Sequence, residues 1–451
     1  MSNITITIIN NIYCRIDKGL SFLYPCLSYK YIYWKQGIYR KERCEITKKV
    51  IINSNYTYTG LIPRIKEHCN KNNFKLDIHN QKQKIPHKQP EIPGITLRED
   101  QKKLVDIACK KQRGIIEAPT GSGKTILQMA ILSCFPNKKA LFLCPSLSII
   151  QQTYEELLKY KFANVGMLGG GNTCYFPNIM TATVQSFIKL NLSDYKNYFD
   201  IIIIDESHHL HKFNSTLSRI LQTLNSPIRL GFTATPNLTD EGKLASESFL
   251  GPIIGKQTIN ESAELNILAK PKIKLFKTQF RQDIRDIAKY QDVYQKGIVE
   301  NQSRNILICR IVNNYLSQGK TILIMVTKIQ HGEILLDTFL KMYNKKIPFV
   351  KGDTETETRD KLKNLLNEKK INCIICTVVW KEGINIPSLD VIINASGGKS
   401  EILTLQKIGR GLRRTKEKEE VLIVDFFDPS HPYLISHFGE RITLYMNNKW
   451  L

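Results

Sequence analysis

The stretch "IIEAPTGSGKT", residues 115–125, decides how the rest of the chain is read. An apolar run ends at Glu117, a turn with two glycines follows, and a helical stretch opens at Lys124. Gly121 and Gly123 let the backbone bend until successive amides face one point. Lys124 and Thr125 put an ammonium and a hydroxyl beside those amides, and the start of the helix adds positive potential. Residue types in this order cradle a phosphate chain, with Lys124 on the outer phosphates and the Thr125 hydroxyl on Mg2+. Pro119, Thr120, Gly121, Ser122, Gly123, Lys124 and Thr125 are the candidate nucleotide-binding residues. The strict pattern has a glycine where this chain has Ala118.

A strand, turn and helix in this order predict an α/β sheet. The sequence beyond residue 95 agrees: "KALFLCP", "IIIIDE", "RLGFTAT", "TILIMVT", "INCIICT", "LDVIINA" and "EVLIVDF" alternate with helical stretches such as 124–134 and 146–161. Continuous apolar strands between helices belong to parallel sheets covered on both faces. The runs suffice for two sheets, with a break near 266–273.

The second informative stretch is "IIIIDESHHLHKF", residues 201–213. A phosphate loop that hydrolyses its nucleotide needs a neighbouring strand ending in an acid near the metal. Asp205 sits at such an end and would hold Mg2+ through water, while Glu206 would orient or deprotonate the attacking water. The competing reading is a metal site of Asp205, Glu206, His208, His209 and His211. Adjacent His208 and His209 should diverge on an extended chain, which disfavours that reading.

The motifs "APTGSGKT", "DESH", "TAT" (233–235) and "QKIGRGLRR" (406–414) occur in a fixed order. Together they resemble the superfamily 2 helicases and translocases of the DExH type, over residues 95–430. The resemblance implies two tandem RecA-like parallel-sheet lobes, ATP as the nucleotide and Mg2+ as the metal. It implies that Arg98 and Gln101 of "LREDQ" contact the adenine. It makes His208 the coupling residue between the hydrolysis site and Thr233 and Thr235, and leaves His209 and His211 as loop histidines. Gln406, Arg410 and Arg413 match the element that supplies arginine fingers. Looser matches to nucleic-acid contacts are Pro145 and Ser146, Thr183 and Gln185, Thr327 and Lys328, and Thr377 and Trp380. Asn385 departs from the aspartate of many relatives. "LREDQ", "GMLGGG" (166–171) and "QKGIVENQSRN" (295–305) are most similar to the phage UvsW, RecG and XPB group, which acts on branched DNA.

The net charge of +24 points to a polyanionic partner. Residues 1–90 hold 16 Lys and Arg against 5 Asp and Glu, almost half of that surplus. Their alternating "ITITI", aromatic "YKYIYW" and helical "IPRIKEHCNKNN" predict a small α+β domain, and the Pro-rich stretch 81–94 reads as a linker. Arg40, Lys41, Arg43, Lys48 and Lys49 are its candidate DNA contacts. The expected domains are 1–90, 91–265 for the lobe with the phosphate loop, and 266–451 for the lobe with the arginines.

Eleven cysteines without a framework spacing fit free thiols in a reducing cytoplasm. Cys373 and Cys376 should face opposite sides of one strand and share no metal. There is no signal-peptide pattern and no apolar run of the ~18 residues a membrane span needs. A cytoplasmic monomer is expected, in the host cytoplasm if the Ile-, Lys- and Asn-rich composition is viral. The leading reading is an ATP-driven DNA helicase acting on single strands, forks and junctions. The alternatives are an RNA helicase and an ATP-gated binding module without unwinding. A nuclease would need an acidic cluster outside the nucleotide site, and a transporter ATPase its signature sequence; neither is found.

Overall fold

The computed structural model describes residues 3–36, 41–81, 83–119, 122–234, 239–257, 270–377, 388–398, 420–447 and 450–451. They form two compact units, one of residues 1–118 and 123–256, the other of 257–451 together with 119–122.

The first unit begins with β1 (Asn3–Ile8), β2 (Tyr13–Lys18), helix α1 (Leu20–Leu23), β3 (Ser28–Gln36), β4 (Lys41–Lys49), β5 (Tyr56–Tyr58), helix α2 (Ile62–Lys71) and β6 (Lys75–His79). Strands β5, β2, β1 and β6 pair side by side in that order, while β3 and β4 form a separate antiparallel hairpin. The alternation in "ITITI" works as read: Ile4 and Ile6 are fully buried, and Thr5 and Thr7, which alternate with them, are not. Helix α2 ends at Asn72, as its sequence predicts, and buries Ile65 and Cys69.

Seven strands follow: β7 (Arg113–Glu117), β8 (Ala140–Cys144), β9 (Val165–Leu168), β10 (Ile179–Thr183), β11 (Ile201–Ile204), β12 (Ile228–Thr233) and β13 (Ile253–Lys256). All pair in parallel, in the order β13-β7-β12-β11-β8-β10-β9. The helices are α3 (Glu99–Lys111), α4 (Lys124–Ser133), α5 (Leu147–Lys159), α6 (Val184–Phe187), α7 (Thr216–Thr223) and α8 (Asp240–Leu250). The four isoleucines of β11 are fully buried, and alternate ones enter different apolar clusters on the two faces of the sheet. Such two-sided burial is what an unbroken apolar strand encodes.

The N-terminal domain is fastened to this lobe. Tyr58 packs on Phe249 (centroids 4.7 Å apart) and on Phe213 (6.1 Å). Arg113 donates to Thr59 Oγ1 (2.6 Å) and the Asn11 carbonyl (2.5 Å), and Arg64 pairs with Glu247. Gly60 lies so close to α8 that a Cβ would come within 2.2 Å of the Glu247 carbonyl oxygen. Among its described residues the Pro-rich stretch carries no helix or strand, yet it is pinned: Gln112 exchanges hydrogen bonds with the backbone of Ile85, and the Lys88 amide donates to the Cys134 carbonyl. It is a strap rather than a free tether.

The second unit contains β14 (Lys270–Lys277), β15 (Ile322–Met325), β16 (Phe349–Val350), β17 (Cys373–Cys376), β18 (Val391–Asn394) and β19 (Glu420–Phe427). They too are all parallel, in the order β14-β19-β18-β15-β17-β16. Cys373 and Cys376 enter different clusters on opposite faces of β17. The chain is thus two parallel α/β lobes with a small α+β N-terminal domain. Among the described residues, no helix is long and apolar enough to cross a membrane.

Candidate active site

Strand β7 ends at Glu117, and Gly123, at φ +91°, opens α4 at Lys124. That backbone conformation favours glycine, and so does the space around it. A Cβ at Gly123 would lie 2.8 Å from Gln101 Nε2 and 3.8 Å from Arg98 Nη1. Two residues more than twenty positions upstream are therefore packed against the glycine turn. Gln101 is buried, its Oε1 accepting from the Arg98 amide at 3.2 Å. The Arg98 guanidinium is steadied by both carboxylate oxygens of Asp100, at 3.1 and 3.2 Å. Lys124 Nζ makes one long bond, 3.4 Å to the Ala118 carbonyl, and Thr125 beside it is half-buried.

Two strands along the same sheet edge, β11 delivers the acids. Glu206 adopts a left-handed conformation (φ +52°), and its amide donates to Asp205 Oδ1 at 3.0 Å. Its carboxylate Oε2 lies 3.3 Å from His208 Nδ1. The same Nδ1 lies 3.2 Å from the hydroxyl of Thr233, the buried last residue of β12. Gly231 of β12 leaves room for this turn, because a Cβ there would meet Ser207 Cβ at 3.0 Å. The ends of β7, β12 and β11 thus gather Lys124, Thr233, Asp205, Glu206 and His208.

The electrostatics of the two acids diverge. Burial pushes the Asp205 carboxyl up to about 6; Lys124 opposes this and Glu206 adds to it. Burial acts in the same direction on Glu206, but Lys124 and His208 outweigh it and hold that carboxyl down at about 2. Two sheltered carboxyls share one ammonium, an arrangement suited to a divalent cation that sits beside phosphates. The nucleotide and Mg2+ therefore fit the residues present.

The histidines do not behave as the extended-chain argument expects. Ser207–His209 form a 3-10 turn, which brings the His208 and His209 rings to 4.5 Å between centroids instead of splaying them. His211 Nδ1 lies 2.8 Å from the His209 carbonyl oxygen. Among the described residues, no three His, Cys, Asp or Glu side chains converge to hold a metal.

The other half of the first sheet's edge carries the looser candidates. Pro145 and Ser146 follow β8; Ser146 stands at the N-cap of α5 without a hydroxyl bond to the helix backbone, its Oγ 3.0 Å from Ser148 Oγ. Thr183 ends β10 and spends its hydroxyl on the α6 cap, accepting from the Ser186 amide at 3.1 Å, with Gln185 exposed beside it. The glycine turn 169–171 follows β9, all three residues at positive φ. In the second unit, Thr327 and Lys328 follow β15, and Thr377 follows the adjacent β17. Lys328 Nζ donates to Gln295 Oε1 at 2.7 Å, and Thr377 is buried.

Thr120, Gly121, Thr235, Trp380, Asn385, Gln406, Arg410, Arg413 and Arg40 lie outside the described residues. Lys41 and Arg43 are placed on β4 by backbone alone. One neighbour escaped the sequence reading: the buried Gln128 side chain lies beside Asp205 and lowers its carboxyl, without a hydrogen bond to it. It sits one helical turn beyond Lys124, and that i, i+4 spacing was the available signal.

Comparison with known proteins follows the same geography. The family described as "Type III restriction enzyme, res subunit" matches residues 94–238, and the "Helicase conserved C-terminal domain" matches 303–415. The chain is 27% identical to the DNA 3'-5' translocase XPB2 of Sulfurisphaera tokodaii, over 73% of this chain and 81% of that protein. It is 23% identical to the ATP-dependent DNA helicase uvsW of Enterobacteria phage T4, over 87% of this chain and 86% of the relative. Among solved structures, S. cerevisiae Dbp5 bound to RNA and ADP BeF3 has the same fold, with a TM-score of 0.55 at 15% identity, covering 79% of this chain and 92% of that one.

Proposed function

We infer that the chain, which belongs to the superfamily 2 helicases near the UvsW and XPB group, is an ATP-hydrolysing DNA helicase that remodels forked and junction DNA. The observation that carries the reading is the convergence of Lys124, Asp205, Glu206, His208 and Thr233 at three neighbouring strand ends. Mg2+, when bound, would neutralise phosphate charge, and Asp205 and Thr125 are the residues to hold it. Lys124 binds the outer phosphates. Arg98 and Gln101, seated behind the turn, fix its shape and meet the base. Glu206 orients the attacking water and accepts its proton through Oε2, which lies 3.3 Å from His208 Nδ1. His208 Nδ1 faces both Glu206 and Thr233, so a shift of β12 changes how the base is held. That gives a path from hydrolysis to the strand that "TAT" ends. Gln406, Arg410 and Arg413 are assigned by motif as donors to the developing γ-phosphate charge.

Ser146, Thr183, Gln185, the glycine turn, Thr327, Lys328, Thr377 and Trp380 are proposed phosphate or base contacts along the tracked strand. Arg40, Lys41 and Arg43 add grip on duplex and junction. The DNA substrate is inferred from the relatives; the fold is shared with an RNA-bound protein and does not choose between them. The test is ATP hydrolysis and unwinding on single strands, duplexes, forks and four-way junctions of one sequence, in DNA and in RNA. Stimulation by branched DNA well above matched RNA is expected. Equal stimulation by both would overturn the assignment of substrate.

A further inference from the structure

We propose that the tyrosine face of the β3–β4 hairpin is a stacking site for the bases of unpaired DNA. The hairpin register pairs Tyr29 with Lys48, Tyr31 with Ile46 and Tyr33 with Cys44. Directly paired and alternate residues share a face, so three tyrosines, Ile46 and Lys48 line one side. That side grades from buried to exposed. Tyr29 is 9% exposed and rests on Phe213, the rings stacked with centroids 5.7 Å apart; its hydroxyl donates to Glu241 Oε1 at 3.4 Å. Tyr31 is half-buried, while Tyr33 and Ile46 are 37% and 42% exposed.

The inner end is thus anchored to the lobe, and the outer end meets solvent. The Tyr31 and Tyr33 rings are tilted only 21° from parallel, with centroids 6.4 Å apart. That is near the outer limit of direct ring stacking, so the two rings do not satisfy each other. Lys48 Nζ lies 3.6 Å over the Tyr31 ring, and Lys49 Nζ lies 3.5 Å over the Tyr24 ring. Among the described residues neither lysine pairs with a carboxylate. Tyrosine rings beside Lys48, a cation without a carboxylate partner, complement a strand that offers flat bases on a phosphate chain; Lys49 lies on the other side of the hairpin. A duplex keeps its base faces stacked inside, so this surface selects unpaired bases. Arg and Lys elsewhere on the domain would serve phosphates without that distinction. The ligand rests on the DNA reading above.

The test uses the full chain, without nucleotide. Binding is measured by fluorescence anisotropy for an oligo-thymidine strand and for an abasic strand of equal length. The Tyr31→Ala/Tyr33→Ala double variant should lose about 5- to 150-fold in affinity for the base-bearing strand per stack removed. Its affinity for the abasic strand should not change. The salt dependence should keep its slope, because no phosphate contact is lost. The Tyr31→Phe/Tyr33→Phe variant should bind both strands as the parent does, and unchanged melting temperatures would show that both variants fold. Equal binding of the base-bearing strand by parent and alanine variant overturns the proposal. So does an equal loss on both strands. The helicase reading fails by a different readout, absence of DNA-stimulated ATP hydrolysis in the parent.

Discussion

Each unit of this chain buries acids at or near the ends of parallel strands, and the two units treat them in opposite ways. In the second, Asp425 of β19 accepts from Arg441 Nε (2.7 Å), the Tyr445 hydroxyl (2.8 Å) and Asn394 Nδ2 (3.2 Å). Arg441 spends its remaining donors on the carbonyls of Gly397, Gly398 and Phe426. Burial disfavours the Arg441 charge, but Asp425 holds its pKa above the ordinary value. Nearby, Asp428 is bonded by Arg304 Nε (3.0 Å) and Thr278 (2.8 Å). In the first unit, Asp205 and Glu206 are adjacent carboxyls served by one ammonium, one amide and a histidine at 3.3 Å. The densely partnered acids hold the lobe together. The sparsely partnered ones keep bonding capacity for something that is not protein, and their burial is what makes that capacity strong.

The contrast predicts where damage lands. The largest effect belongs to Glu206→Gln, which keeps the shape but removes the proton acceptor. ATP turnover should fall about 10²- to 10⁴-fold, with nucleotide affinity within a few-fold of the parent, in paired hydrolysis and equilibrium-binding measurements. Next is Asp425→Ala, which leaves the Arg441 cation buried without its acid. Denaturant unfolding should show a loss of about 3–5 kcal/mol. Asp205→Asn should do the reverse of a structural lesion. It removes repulsion between adjacent carboxyls, so the nucleotide-free protein gains about 0.5–2 kcal/mol while hydrolysis is lost. A destabilised Asp205→Asn protein would break the comparison. The smallest effect is expected at Arg64, whose pair with Glu247 is partly exposed (side chains 37% and 24%). Arg64→Ala should cost about 0.2–1 kcal/mol by the same unfolding measurement.

Much of the fold could be read because parallel strands buried on both faces write unbroken apolar runs. "IIIID" and "NCIIC" gave both their position and their two-sided burial. The candidate nucleotide residues were legible for a related reason: Gly123, Lys124 and Asp205 occur where a strand meets a turn, and that junction is local in sequence. What stayed hidden is what depends on distance along the chain. Arg304 and Asp428 are 124 positions apart, and the stretch 295–305 that holds Arg304 carries no mark of its partner. Phe213 looks like one more apolar residue after the histidines, yet it receives Tyr29 and Tyr58 from the N-terminal domain. The positive φ of Glu206 has no sequence mark, since glycine is the residue that usually announces it. The Pro-rich strap reads as a linker in the sequence because composition reports the lack of regular structure, not the bonds that Gln112 and Cys134 make to it.

The account's central claim is that the two kinds of buried acid do separable work. It is tested most directly by measuring ATP turnover per folded molecule and unfolding free energy for Asp205→Asn and Asp425→Asn side by side. The predicted result is a crossed pattern. Asp205→Asn, which removes a carboxyl that burial pushes up to about 6, loses turnover and gains stability, whereas Asp425→Asn loses stability and, below its melting transition, keeps most of its turnover. Stability lost with Asp205→Asn, or turnover kept by it, is the contradicting result.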